Sequence, residues 1–322
     1  MKVAAVQIRT RMGQLDDNLA HVAQLAAEAV AGGAQLVALP EFFTGALAPA
    51  VEAYRVALPA ADNPAIRFLR DTARQHTCHI GGSMLVADGG ELYNRYYLAT
   101  PDGALHQHDK DLPTMWENCF YIGGHDDGVF ETALGGIGAA VCWELIRTQT
   151  LKRMRGRVSL VMTGTHWWHM PDNWPGAATL LKRIAPLNRQ MSEQAPVEFA
   201  RRIGAPVLQA SHCGALRGDF YLSPYTDTCV PYATEFVGAT QIVDAEGQVL
   251  ARRVTTEGPG VVFGDITPGA RAAPVAQTHD RFWIPDLPLF HRLYWDQQNA
   301  ACKAVYRRHG RQRGLDAAHA NT

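Results

Sequence analysis

The chain carries almost no net charge: 30 Lys and Arg against 31 Asp and Glu leave −1. No global field therefore draws it to nucleic acid or to an anionic membrane. It has no apolar run near the roughly 18 residues that cross a bilayer. Its first residues, Met1-Lys2-Val3-Ala4-Ala5-Val6-Gln7-Ile8-Arg9, hold too short an apolar stretch for a secretory signal. It has no C-x-x-C pair. Six cysteines, Cys78, Cys119, Cys142, Cys213, Cys229 and Cys302, are scattered, which argues against a disulfide framework. Short-period repeats, low-complexity segments and a clear linker are also missing. These absences lead to the expectation of a cytoplasmic protein without membrane or nucleic-acid partners. Its 322 residues and 47% hydrophobic content allow a large core.

What is present is a mixture of strands and helices. Residues 3–8 are β-like. Asp16 or Asp17 can cap a helix with Leu19, Val22, Leu25, Ala26 and Val30 on one face, closed by Gly32-Gly33. Residues 36–39 form the next buried strand, which completes a βαβ unit. A second helix is expected over 64–75. Strands over 78–86 and 93–100 meet at Asp88-Gly89-Gly90, and Pro101-Asp102-Gly103 is a further turn. Strands over 129–132 and 137–141 flank Gly135-Gly136. A basic helix follows over 148–157, a strand over 158–163, a helix over 196–204 and a strand over 206–210. A hairpin straddles Asp244-Ala245-Glu246-Gly247, and 261–266 is a last strand. Helices alternating with hairpins predict an α/β protein of sheets covered by helices in layers. The domain is expected over 1–285. An extension over 286–322 holds aromatic residues for docking on a partner subunit and a basic run, Arg307-Arg308-His309-Gly310-Arg311-Gln312-Arg313, for a solvated or disordered tail.

Three strand-like segments deliver complementary groups to their carboxyl ends, where open α/β sheets bind ligands. Gln35-Leu36-Val37-Ala38-Leu39-Pro40 ends on Glu41, His106-Gln107-His108-Asp109 ends on Lys110, and Gly138-Ala139-Ala140-Val141 ends on Cys142. A thiolate is the reactive form of cysteine and needs a base or cation to form. Glu41, beside Pro40, Phe42 and Phe43, sits in an apolar setting that raises a carboxylate pKa toward a useful value. Lys110 can hold the charge of a tetrahedral oxygen together with the Trp143 backbone N–H. Such a set attacks a carbonyl or nitrile carbon and passes through a covalent acyl-enzyme.

These motifs resemble those of the nitrilase superfamily of carbon–nitrogen hydrolases, over roughly residues 1–270. Lys2-Val3-Ala4-Ala5-Val6-Gln7 is similar to the family's opening strand, Leu39-Pro40-Glu41-Phe42-Phe43 to its glutamate motif, His108-Asp109-Lys110-Asp111-Leu112-Pro113-Thr114 to its lysine motif, and Ala140-Val141-Cys142-Trp143-Glu144 to its nucleophile motif. The resemblance implies a four-layer αββα sandwich, no metal, no organic cofactor, and a homodimer or larger homo-oligomer. It implies Glu41 as general base, Lys110 as oxyanion stabiliser, Cys142 as nucleophile, and Glu117 as a second glutamate orienting Lys110 or the attacking water. It places Gly164-Thr165-His166-Trp167-Trp168-His169 in a loop that lines the pocket, so Trp143, Thr165, His166, Trp167 and Phe42 are candidates to touch a small amide or nitrile. Trp167 and Trp168 would make that loop bulky and apolar, suited to an aromatic or hydrophobic acyl group, or can equally pack against a subunit partner. Trp143-Glu144 looks more like true nitrilases. At Leu145 the sequence departs from their pattern, where histidine or asparagine is common, so amide and nitrile both stay open.

Two rivals come from other classes. A metal protein would use His76, Cys78 and His79, or His166 and His169, although metal sites need three or four convergent ligands and alternation sends Cys78 and His79 to opposite faces. A catalytically silent relative would act in binding or assembly.

Overall fold

The computed structural model describes residues 1–269, 271–273, 275 and 281–322. Strand β1 (Lys2–Ile8) alternates its side chains with period two. Val3 and Ala5 enter one core, while Ala4, Val6 and Ile8 enter another. Helix α1 (Leu15–Ala31) buries Val22, Leu25, Ala26 and Ala29. Asp16 and Asp17 do not cap it. They lie in its first turn, where carboxylates oppose the positive end of the helix dipole, and Gln14 stands at the cap position. After β2 (Leu36–Ala38) and the short β3 (Leu58–Pro59), helix α2 (Pro64–His76) is capped by Asn63, whose side chain accepts the Ile66 N–H at 2.8 Å. Strands β4 (His79–Asp88), β5 (Glu91–Ala99) and β6 (Leu105–Asp109) form the expected antiparallel run.

Strands β7 (Val129–Thr132) and β8 (Gly135–Ala139), helix α3 (Thr148–Met154) and strand β9 (Leu160–Thr165) follow. Helix α4 (Ala178–Ile203) begins well before the expected residue 196 and carries Pro186 and Pro196 inside it. Each proline removes a helical hydrogen bond, which makes it read as a boundary. Burial of Leu181, Ile184, Ala195, Phe199 and Ile203 offsets that loss. Then come β10 (Val207–His212), an unanticipated hairpin of β11 (Ala215–Tyr221) and β12 (Cys229–Glu235), and β13 (Gly238–Val243), β14 (Val249–Val254) and β15 (Gly260–Asp265).

Strands β1 and β10 meet in parallel over only Gln7↔Ser211 and Ile8↔His212. Away from that junction β1 pairs with β15, and β10 pairs with β13. Two sheets therefore diverge, ordered β6-β5-β4-β2-β1-β15 and β7-β8-β9-β10-β13-β14. They stack with β2 and β4 against β9. Helices α1 and α2 cover the outer face of the first sheet, and α3 and α4 cover the second, giving the four-layer αββα arrangement.

The last segment is not a loose tail. Helices α5 (Leu289–Val305) and α6 (Arg311–Ala320), joined by a wide turn at Tyr306–Gly310, lie against the body of the same chain. The basic run is held by partners: Arg308 pairs with Asp227 at 2.7 Å and Arg311 with Glu91 at 3.1 Å, while Tyr306 donates to Glu91 at 2.7 Å. Net basicity hid this, because the complementary acids lie some 80 to 220 residues away in sequence. No helix among the described residues is long and apolar enough to cross a membrane.

Candidate active site

Glu41 follows β2 across the rigid Leu39-Pro40 step, Lys110 follows β6, and Cys142 follows β8 at the head of a 3-10 turn, Cys142–Ile146. All three side chains are buried. The sheets bring them together at one end of the sandwich. β9 passes so close to the glutamate loop that a methyl group on Gly164 would collide with the backbone of Pro40 and Glu41, so only glycine fits there.

Lys110 Nζ donates to Glu41 Oε1 at 2.8 Å and to Glu117 Oε2 at 2.7 Å. Asn94 Nδ2 donates to Glu41 Oε1 at 2.7 Å, and the His166 backbone N–H donates to Glu41 Oε2 at 2.8 Å. His212 Nε2 donates to the Glu41 carbonyl at 2.6 Å. Glu117 sits on a 3-10 turn, Met115–Cys119, and accepts the Thr114 N–H at 2.9 Å and the Tyr121 hydroxyl. Cys142 is close enough to the Glu41 carboxylate and the His166 backbone for each to act on its ionisation. Phe42, Met115 and Cys142 all adopt left-handed backbone conformations, with φ of 51°, 53° and 55°. Such strain in non-glycine residues persists where the surroundings over-determine it.

The charges follow from this packing. Burial pushes the Glu41 carboxyl up to about 7, against the pull of the Lys110 ammonium. Burial opposes the Lys110 charge, but the carboxylates of Glu117 and Glu41 outweigh it and hold its pKa above the ordinary lysine value. Burial, then the Glu41 charge, pushes the Cys142 thiol well above its usual range. The resting cysteine is thus a neutral thiol beside a base that ionises near neutrality. Such a pair can transfer its proton as the sulfur attacks.

A brace lies behind the nucleophile. Glu144 accepts the Val141 N–H at 2.7 Å, the Asp111 N–H at 3.1 Å and Arg153 at 2.6 Å, and contacts His108 Nε2 at 3.0 Å. Burial works against the His108 cation, yet Glu144 and Asp126 raise its pKa to about 10. One carboxylate therefore ties the nucleophile turn to the lysine loop.

A narrow cavity of about 10 Å³, roughly one water molecule's worth, borders Trp143, the residue after the cysteine, and Met115, on the turn that carries Glu117. Met115, Trp143, Trp167, Trp168, Met170, Asn188 and Tyr294 line it. Of the residues expected to touch substrate, Trp143 and Trp167 are on this wall. Thr165 is not: its hydroxyl donates to the Ala210 carbonyl of the neighbouring strand at 3.4 Å. Phe42 is not on this wall either; its ring lies edge-on to Tyr121 and His166. His166 serves through its backbone N–H, while its ring accepts the Leu47 N–H at 3.0 Å. Trp168 stacks on Trp116 at 4.2 Å within the same chain. Sequence reasoning missed Asn94, Tyr121, His212, Met115 and Tyr294, because none adjoins a nucleophile or carries a distinctive spacing. Among the described residues, no group of three or more His, Cys, Asp and Glu converges as a metal site, so His76, Cys78 and His79 do not form one.

Comparison with known proteins gives the same class. A family model described as carbon-nitrogen hydrolase matches residues 2–274, and the chain belongs to that family. It is 26% identical over 295 residues to an aliphatic nitrilase of Rhodococcus rhodochrous, covering 82% of this chain and 74% of that one. It is 26% identical over 264 residues to an omega-amidase of Mus musculus, covering 78% and 83%. Nitrilase 3 of Arabidopsis thaliana is 30% identical over 166 residues, 45% of this chain and 47% of that protein. Among solved structures, Nit3 of Saccharomyces cerevisiae, a member of branch 10 of the nitrilase superfamily, shares the fold with a TM-score of 0.62 at 18% identity, covering 82% and 89%. An amidase mutant from Nesterenkonia sp. AN1, showing Michael addition of acrylamide at its active-site cysteine, matches with a TM-score of 0.58 at 21% identity, covering 83% and 93%.

Proposed function

We propose that the protein hydrolyses the carbon–nitrogen bond of a small amide or nitrile, giving a carboxylic acid and ammonia through an acyl group carried on Cys142. The observation that carries this reading is the buried cluster of carboxylates and ammonium, Lys110 between Glu41 and Glu117 at 2.8 and 2.7 Å, with the buried Cys142 thiol near enough to Glu41 for each to shift the other's ionisation. Glu41 takes the thiol proton as sulfur bonds to the carbonyl or nitrile carbon. Lys110 and the Trp143 backbone N–H stabilise the negative charge that builds on the substrate's oxygen or nitrogen. With an amide, Glu41 returns the proton to the departing ammonia; with a nitrile, the thioimidate first adds a water and only then expels ammonia. In both cases Glu41 then activates a water that releases the acid. Glu117 keeps Lys110 charged and oriented. The acrylamide adduct on the Nesterenkonia amidase supports the covalent route by analogy.

Intact-mass measurement after exposure to a mixed panel of amides and nitriles tests the reading. The expected result is an added acyl mass on Cys142, absent from Cys142→Ala. An unlabelled protein, or label on another cysteine, would remove the assignment. Self-association is part of the same reading: Leu180 and Leu187 expose apolar side chains that a second copy could cover, and light scattering would give the mass.

A further inference from the structure

Cys142, Glu41 and Lys110 are each no more than 1% exposed, so substrate reaches the sulfur only past a wall that yields. The small cavity bordered by Trp143, the residue after the cysteine, is the nearest opening to it that the structure offers, and most of its wall comes from the family-matched region. One face comes from α5, beyond the matched residues 2–274. There Tyr294 borders the cavity, and its neighbour Trp295 stacks on Trp143 with ring centroids 5.4 Å apart and planes 6° apart. Trp283 meets Trp143 edge-on at 5.6 Å and Trp295 at 5.1 Å. The Arg147 guanidinium lies over the Trp295 ring at 5.4 Å. Farther along the helix, Asn299 Oδ1 accepts the Met115 N–H at 3.1 Å, and Met115 is itself part of the cavity wall. The helix is thus fastened both to the residue after the nucleophile and to the turn that carries Glu117.

We propose that Tyr294, held in place by the Trp295–Trp143 stack, is the specificity-determining wall of the acyl pocket, and that it limits the protein to small acyl groups. The proposal rests on the site reading above, in which Cys142 is the nucleophile. The cavity left between Tyr294 and the tryptophans has only about one water's volume. Each atom added to the acyl group therefore presses on this wall, and one methylene in such a pocket shifts selectivity about tenfold or more.

The test compares two alkylating agents with the same leaving group, iodoacetamide and its bulkier N-benzyl analogue. In both, the sulfur–carbon bond forms as the carbon–iodine bond breaks, and the thiol proton passes to Glu41. Peptide mass spectrometry gives the rate at Cys142 alone. In Tyr294→Ala the bulky-to-small rate ratio is expected to rise about tenfold, and kcat/KM for amides or nitriles should shift toward larger acyl groups in parallel. Leu293→Ala, on the same helix and 60% exposed, should leave the ratio within about twofold of the parent. If Tyr294→Ala does not fold, Tyr294→Leu should show the same change at smaller size. An unchanged ratio, or an equal rise in Leu293→Ala, overturns the wall. A shifted alkylation ratio in a protein that never forms an acyl-enzyme would keep the wall and overturn the hydrolase reading instead.

Discussion

The floor of the site and its cover are built on opposite principles. The floor is polar and charged: Glu41, Lys110, Glu117 and Cys142 are buried, and each catalytic group is held by at least one partner. The cover is aromatic: Trp143, Trp167, Trp283, Trp295 and Tyr294 touch mostly through ring faces and edges. Directional hydrogen bonds fix positions to fractions of an ångström, as proton transfer and nucleophilic attack require. Ring contacts exclude water and can slide or part at modest cost. Under the proposed function, a rigid floor beneath a separable cover would let a substrate reach the buried Cys142.

The largest expected effect lies in the floor. Cys142→Ala should lower turnover by at least about a thousandfold while far-UV circular dichroism stays unchanged. Retained turnover would move the chemistry elsewhere. Lys110→Ala comes next, because it leaves Glu41 and Glu117 buried with no cation between them. Turnover should fall about a hundredfold or more, and urea unfolding should show a loss of about 3–5 kcal/mol. A variant with parent stability would mean the floor is not a charge cluster. The pH dependence follows from Glu41, whose folded pKa is raised to about 7. The base works only when ionised, so kcat/KM should rise as pH increases through about 7. The conservative Lys110→Met removes the cation that favours the carboxylate, so the same limb should move to higher pH. A limb that stayed in place would separate Glu41 from the reaction.

The cover should respond more weakly. Trp295→Ala loses one stacked pair, about 0.5–1.5 kcal/mol beyond the lost area, measurable as a lower urea midpoint. Its effect should fall more on selectivity among acyl groups than on the acylation step itself. Leu293→Ala, exposed on the same helix, should change stability by less than about 0.5 kcal/mol. If Trp295→Ala cost as much turnover as Lys110→Ala, the distinction between floor and cover would fail.

Much of the floor was legible because it depends on local signals. Glu41, Lys110 and Cys142 each end a recognisable strand, and Glu117 follows the lysine motif at short range. Period-two burial in β1 and helical spacing in α1 were equally local. The misses share a cause. Prolines 186 and 196 read as breaks, although packing carries α4 through both. Where the Thr165 and Phe42 side chains go was not local either: strand pairing sets the Thr165 hydroxyl on the Ala210 carbonyl, and the Phe42 ring lies against Tyr121 and His166. The basic run over 307–313 is solvent-exposed, as one of its two readings had it, but its helical order was not legible because its acids, Glu91 and Asp227, are remote in sequence.

The sequence by itself determined which chemical groups exist and which elements present them, since hydrophobic period, turn residues and strand-end placement are properties of neighbouring residues. Only the tertiary structure decided that the Glu41 carboxyl is raised toward neutral pH, that Asn94, Tyr121 and His212 surround its cluster, and that α5 packs on Trp143 and Met115. Those outcomes depend on burial and on contacts between residues up to about 180 positions apart, and local pattern carries no record of such distances.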